Sequence, residues 1–307
     1  MKVIHAAAEL NAGGRPVCAA IGVFDGVHLG HQSVLRQAIS DATRLNGVSV
    51  AVTFDRHPNA VVAPGNVPPL IYPLRKKLEV LASLGLEAAY VIRFDTAVSR
   101  IPGEQFAREL VRDLGRVESI CVGADFMFGY RRSGNVALLA DLGAQLGFTA
   151  KAVSDVDFDG QPVSSTRIRD CVRAGDFSGA GEMLGRPYSL CGTVIEGEHL
   201  GSKLGFPTAN MEITGMLTPP SGVYVADAKV GLETHRAAVN IGHRPTIHSS
   251  DPQLHVEAHL LNFGRQIVGQ ELELTFLKKL RDEKKFPSFE ALRAQIARDV
   301  SEAKSHV

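Results

Sequence analysis

Two stretches of different periodicity meet near Gly185-Arg186-Pro187, and that change limits the possible folds more than any other feature of the chain. Before it, β-rich runs alternate with helical spacing. Residues 16–24 are apolar and read as a buried strand. Val34, Leu35, Ala38, Ile39, Ala42 and Leu45 then recur at helical intervals until Asn46-Gly47 stops them. The spacing next predicts a strand over 48–54, a helix over 75–84, a strand over 88–94 and a helix over 103–114. A strand over 119–123, a helix over 135–146 and a strand over 149–153 complete this half. Strand–helix alternation implies βαβ units and a parallel sheet covered on both faces, a Rossmann-like α/β arrangement. No Gly-x-Gly-x-x-Gly follows the first strand, so the usual dinucleotide fingerprint is absent.

After residue 187 strands replace helices, over 188–196, 222–230, 236–241, 255–263 and 271–277. Turn signals such as Pro219-Pro220-Ser221-Gly222 and Asp251-Pro252 separate them. Short, regularly spaced strands suggest an antiparallel barrel. Phe289, Leu292, Ile296 and Val300 mark one face of a closing helix. The expected division is therefore 1–186 and 187–307, each part long enough to bury its own core.

Lys plus Arg and Asp plus Glu both total 33, so the chain is formally neutral. That balance argues against a nucleic-acid or membrane partner. Cys18, Cys121, Cys171 and Cys191 lie far apart, which suits a reducing compartment better than a disulfide framework. No apolar run approaches the roughly 20 residues of a membrane span, and the first residues lack a signal-peptide pattern. A soluble cytoplasmic protein is expected, and a homo-oligomer is compatible with this composition.

Chemistry concentrates in Gly22-Val23-Phe24-Asp25-Gly26-Val27-His28-Leu29-Gly30-His31, a strand end, a Gly-rich turn and a helix start. His28 and His31 share a face of the first helical turn, beside free backbone N–H groups and the positive end of the helix dipole. Gly26 and Gly30 allow backbone to approach a phosphate. Imidazole donors there can stabilise charge developing on a phosphoryl group. A zinc pair or two ordinary helix-start histidines are the alternatives. Val163-Ser164-Ser165-Thr166-Arg167-Ile168-Arg169 opens another helix, and hydroxyls followed by arginines suit a departing pyrophosphate. The plainer reading is an N-cap with a solvated basic face.

In the second half, Gly201 and Gly205 flank Lys203 in a glycine-rich turn that can wrap phosphates through backbone N–H groups. The Thr208 hydroxyl and Asn210 amide oxygen that follow are hard ligands suited to Mg²⁺. A hairpin loop with a turn-forming Asn is the alternative. Glu257 and His259 share one face of a strand, with Val256, Ala258 and Leu260 on the other. Glu257 is thus a candidate general base for an alcohol nucleophile, or a solvent-facing charge.

The His-x-Gly-His and Ser-Ser-Thr-x-x-Arg motifs resemble the nucleotidyltransferase superfamily. Thr53-Phe54-Asp55-Arg56-His57-Pro58 and Val122-Gly123-Ala124-Asp125-Phe126-Met127-Phe128-Gly129 resemble the adenylyltransferase module of prokaryotic bifunctional riboflavin kinase/FAD synthetases. Gly192-x-Val194, Pro207-Thr208-Ala209-Asn210, Gly222-Val223-Tyr224, Asn240-Ile241-Gly242, Pro245-Thr246 and Glu257 resemble the kinase barrel of that family, in the same order along the chain. The resemblance implies an FMN adenylyltransferase domain and a six-stranded riboflavin kinase barrel. Riboflavin, FMN, FAD and ATP would be their substrates and products. His28 and His31 would bind and polarise ATP phosphates, with Gly22, Phe24, Asp25 and Gly30 shaping that site. Ser164, Thr166 and Arg169 would hold the β- and γ-phosphates. Phe54, His57, Asp125 and Phe126 would line the nucleotide and flavin pocket. Thr208 and Asn210 would bind Mg-ATP, and Glu257 would activate the ribityl 5′-hydroxyl. Four positions depart from the family pattern: Met127 and Ser202 stand in place of Arg, Asn262 in place of Asp, and Val268 in place of Tyr.

Overall fold

The computed structural model describes residues 1–197, 200–244 and 253–306. Pro245-Thr246 and the Asp251-Pro252 turn lie outside the described residues, as does the side chain of Lys203. The chain divides into two compact units, Met1–Ser165 and Thr166–Val307.

The first unit is built on strands β1 (Lys2–Ile4), β2 (Val17–Ile21), β3 (Val48–Phe54), β4 (Ala88–Ile92), β5 (Val117–Gly123) and β6 (Thr149–Val153). They form one sheet in the order β1-β4-β3-β2-β5-β6, parallel at every pairing. Helices α1 (Leu29–Leu45), α2 (Asn59–Val62), α3 (Leu74–Ser83), α4 (Thr96–Ser99), α5 (Gly103–Leu114) and α6 (Val136–Leu146) connect them. All five residues of β2 are buried, and three are Cys or Ala. Small side chains at the centre of the sheet suit a strand covered on both faces. Asn46, at φ 50°, ends α1 in the left-handed conformation, as Asn46-Gly47 predicts. A small hairpin, β7 (Asp157–Phe158) with β8 (Gln161–Pro162), precedes the helix start at Ser165.

The sheet order matters for the site. From β2 the chain builds outward through β3 and β4, then returns to place β5 on the other side of β2. The strand direction of growth reverses between β2 and β5. In open parallel sheets the crevice beyond the carboxyl ends of the strands at such a reversal is where ligands bind. The Gly22–His31 turn leaves β2 there, and Ala124-Asp125-Phe126 leaves β5.

The second unit carries helices α7 (Ser165–Ala174, from its second residue) and α8 (Phe177–Leu184), then a barrel. Its strands are β9 (Ser189–Ile195), β10 (Ala209–Glu212), β11 (Gly222–Val230), β12 (Glu233–Arg244), β13 (Gln253–Leu260) and β14 (Glu271–Arg281). They close in the order β10-β13-β12-β11-β14-β9, antiparallel throughout. Alternate residues fill the interior: Ala237, Val239 and Ile241 from β12, Val256, Ala258 and Leu260 from β13, Leu272, Leu274 and Phe276 from β14. Phe177 of α8 stacks on Phe276 with ring centroids 5.3 Å apart. Two short elements, α9 (Leu200–Leu204) and β10, occupy the stretch read from sequence as a single loop. Helix α10 (Phe289–Ser305) packs on the outside of β11 and β12.

Candidate active sites

In the first unit the turn after β2 is a strained piece of backbone. Phe24 and Val27 have φ of 52° and 42°, a region that costs side chains with a Cβ, above all a β-branched one. Gly26, at φ 76°, sits so close to Ile71 that a Cβ would lie 2.9 Å from its side chain. The turn is held from several sides. The buried Asp25 carboxylate accepts the backbone N–H groups of Ile71 (3.0 Å) and Tyr72 (3.4 Å). Ser165 Oγ donates to the Asp25 carbonyl (3.0 Å), and Gln32 Nε2 donates to the Val27 carbonyl (3.0 Å). Asp25 therefore shapes the turn from below. Its carboxylate oxygens are occupied by backbone donors, which is why a sequence motif alone does not distinguish it from a ligand-facing acid.

His28 caps α1, and its Nδ1 accepts the N–H of His31 (3.3 Å). The proton of His28 is therefore assigned to Nε2. The two imidazoles stack with centroids 3.6 Å apart and planes 20° from parallel. A Cβ on Gly30 would lie 3.2 Å from the His28 ring, so glycine there makes room for the stack. His31 Nδ1 is buried and has no hydrogen-bond partner among the described residues. Orphaned buried N–H groups are rarer than orphaned acceptors, which assigns its proton to Nε2 as well. Burial, then His28, then Lys77 hold the His31 pKa well below its ordinary value. The His31 ring is therefore neutral near pH 7 and keeps one N–H to give to an anion.

Beside this turn lies a cleft of about 760 Å³ lined by Val23, Phe54, His57, Phe126, Met127 and Arg132, among others. Phe54 meets Phe94 edge-on, and Phe126 stacks on Phe128. His57 Nδ1 accepts the N–H of Asn59 (3.1 Å). A planar aromatic ligand with an anionic tail fits such walls. Asp125 is exposed at the end of β5. Ser164 precedes α7, on which Thr166 is exposed and Arg169 is buried. Sequence reasoning missed Lys77, 7% exposed on α3, because a lysine among helical polar residues carries no sign of burial.

In the second unit the register places Asn210 opposite Glu257, and Glu257 opposite Asn240. One row across three strands thus reads carboxamide, carboxylate, carboxamide on the outer face of the barrel. A cavity of about 330 Å³ lies over the Glu257 and Asn240 part of this row, under α10, and Thr208, Arg281, Phe286 and Ile296 are among the rest of its lining; Asn210 is not. A second cavity of about 510 Å³ is lined by Gly197, Ser202, Thr208, Phe263 and Val268, among others. Thr208 belongs to both. Two of the four departures, Ser202 and Val268, therefore fall on the second cavity; Asn262 at φ 56° takes a left-handed turn that Asn accepts readily.

The glycine-rich segment differs from the expected loop. Residues Leu200–Leu204 are helical, and the N–H groups of Gly205 and Phe206 bond back to Ser202 (3.1 Å) and Gly201 (2.8 Å). Those two donors are consumed by the helix end and are not open to a phosphate. The glycines serve close packing instead. A Cβ on Gly201 would lie 2.4 Å from the Phe206 carbonyl oxygen and 3.1 Å from Thr208 Oγ1, and a Cβ on Gly197 would lie 2.0 Å from Asn210 Nδ2. Thr208 and Asn210 thus sit in cradles that only glycine leaves open. Their neutral oxygens fit Mg²⁺, which takes few protein ligands and keeps phosphate and water oxygens for the rest.

The FAD synthetase family model matches residues 11–167, and the riboflavin kinase family model matches residues 184–307. The chain belongs to the bifunctional riboflavin kinase/FMN adenylyltransferase family. Relatives of that description include those of Haemophilus influenzae, 36% identical over 93% of this chain and 92% of the relative, and Pseudomonas fluorescens, 33% identical over 99% and 97%. The relative from Listeria monocytogenes is 35% identical over 93% and 91%. A crystal structure from Streptococcus pneumoniae, described as a macrolide-efflux protein, matches with a TM-score of 0.82 and 26% identity over the full length of both chains. No helix among the described residues is long and apolar enough to cross a membrane.

Proposed function

We propose that the chain makes FAD from riboflavin in two ATP-dependent steps, one on each unit. In the barrel, riboflavin occupies the smaller cavity and ATP the larger. Glu257 takes the proton of the ribityl 5′-hydroxyl as that oxygen attacks the γ-phosphorus. The new O–P bond forms as the bond to the departing ADP breaks, giving FMN. Thr208 and Asn210 would hold Mg²⁺, which neutralises phosphate charge when bound. The single observation that carries this reading is that Thr208 lines both cavities while Glu257 lines only the one assigned to the acceptor. Ser202 and Val268 then bear on ATP affinity, not on riboflavin.

In the α/β unit an FMN phosphate oxygen attacks the α-phosphorus of a second ATP, giving FAD and pyrophosphate. His28 and His31 donate N–H groups to phosphoryl oxygens, and the first turn of α1 adds backbone donors. Ser164, at the end of this unit, takes the leaving pyrophosphate. Phe54, His57 and Phe126 hold the flavin ring, with Arg131 or Arg132 replacing the cation that Met127 lacks. Positioning and charge stabilisation supply most of the rate in both steps. A functional boundary at 186/187 is supported by the start of β9 at Ser189. Four free cysteines favour a cytoplasmic setting.

Incubating the protein with ATP and Mg²⁺ plus either riboflavin or FMN tests both steps. FMN and then FAD are expected from riboflavin, and FAD alone from FMN. Detecting neither product would overturn the reading.

A further inference from the structure

Strands β2 and β3 run in register to Ile21 and Val52, and one more bond joins Gly22 N–H to the Val52 carbonyl (3.1 Å). Beyond that point their backbones serve different walls: β2 enters the histidine turn and β3 ends in Phe54. The Val23 carbonyl, just past the last ladder bond, accepts Thr53 Oγ1 (3.1 Å) and Lys77 Nζ (3.1 Å). The same ammonium donates to Thr53 Oγ1 (3.1 Å) and to the Phe54 carbonyl (2.9 Å). Three acceptors match the three N–H donors of an ammonium. All three are neutral oxygens, so these bonds place a buried charge where geometry, not charge pairing, fixes it.

We propose that Lys77 is a positioning residue for adenylyl transfer, whose ammonium ties the phosphate turn after β2 to the flavin wall at the end of β3. The proposal rests on the reading of the first unit given above. Residues 71–77 act as one clamp. At its start, the Ile71 and Tyr72 N–H groups hold Asp25, and at its end Lys77 holds Val23, so both sides of Phe24 are fixed. The left-handed conformations at Phe24 and Val27 are strained, and backbone of that kind persists only where its surroundings impose it. Val23 and Phe54 both line the 760 Å³ cleft, so their separation sets the distance between phosphate donors and flavin ring. A small cavity of about 20 Å³ lies beside the clamp, lined by Asp25, Asp55, Tyr72 and Lys77 among others.

The test uses the full chain. Lys77→Met keeps the stem and removes the three donors. Its FMN adenylylation kcat is expected to fall about 100-fold, the scale of an ångström of misplacement, while riboflavin phosphorylation stays within twofold. The pH profile of the wild-type protein supplies a second readout that a purely structural role would not move. The groups facing Lys77 are Asp25, Asp55 and His31; the Asp55 carboxyl and the His31 imidazole are both held below their ordinary values. Burial brings the Lys77 ammonium down to about 8, against the pull of Asp25 and Asp55. FAD formation should therefore decline through an inflection near pH 8, and FMN formation should not. A folded Lys77→Met variant with wild-type adenylylation overturns the proposal. If that variant does not fold, a wild-type profile with no alkaline decline overturns it equally. Absence of any FAD from FMN in the wild-type protein refutes the underlying reading instead.

Discussion

Replacing Asp299 by alanine removes the bond that seats α10 on the barrel. The Arg281 Nε lies 3.1 Å from both Asp299 oxygens, and Nη2 lies 2.8 Å from Oδ2. Gln295 Nε2 adds a further bond to Oδ1 at 2.8 Å. The side chains are 19% and 8% exposed. Deleting one partner of a fully buried pair costs about 3–5 kcal/mol. Arg281 keeps some water, a bond to the Asp282 carbonyl and a place over the Phe286 ring, so about 2–3 kcal/mol is the better figure. That loss falls on the docking of α10, whose Leu292, Ile296 and Val300 wall the 330 Å³ cavity. It corresponds to a docking equilibrium weakened about 30- to 150-fold, and to a fall of roughly 6–12 °C in the melting of the second unit. Calorimetry of the full chain should show one transition moved and the other unchanged. Steady-state kinetics should show a higher KM for riboflavin, with FAD formation from FMN unaffected below the melt. Asp299→Asn, which keeps the shape and part of the hydrogen bonding, should fall between. If Asp299→Ala melts within a degree of wild type and keeps its riboflavin KM, α10 is not the wall this reasoning makes it.

Two other outcomes follow from the sites. Glu257→Gln keeps the row of polar groups beside Asn210 and Asn240 but removes the base; FMN formation should drop about 10²- to 10⁴-fold while FMN adenylylation is unchanged, and a smaller loss would move the base elsewhere. His31 refuses a proton in the folded state that it accepts when unfolded, its pKa being held down by burial, His28 and Lys77. Its contribution to stability is therefore present above pH 6.5 and lost as pH falls below that value. The first unit should melt lower at pH 5.5 than at pH 7.5, and His31→Asn should narrow that gap; an unchanged gap would show that another group is responsible.

Much of the first unit was legible because its elements are long and periodic. The runs 48–54, 103–114 and 149–153 agree with β3, α5 and β6 to the residue. Edge strand β1 and strand β10, at three and four residues, are too short for period-two alternation to stand out from a loop. The barrel had five strands visible in its sequence, and the sixth, Ala209–Glu212, begins inside the Pro-Thr-Ala-Asn motif, since a motif rich in Pro, Thr and Asn reads as a turn. The helical form of Leu200–Leu204 was hidden in the same way by its glycines.

The sequence alone determined the local chemistry of this protein: an α/β half and a barrel half, histidines at a helix start, hydroxyl and amide oxygens in a glycine setting, and one carboxylate on a strand. These are properties of residue type and short-range spacing, which the covalent chain carries with it. Only the tertiary structure decided which of these groups act together. The reversal of strand order between β2 and β5 brings two distant turns to one crevice. Barrel closure sets Asn210, Glu257 and Asn240 in a single row. Burial turned Lys77 and Asp25 from surface-like charges into the clamp beneath the turn. Register, closure and burial depend on contacts between residues far apart in the chain, and no local pattern encodes them.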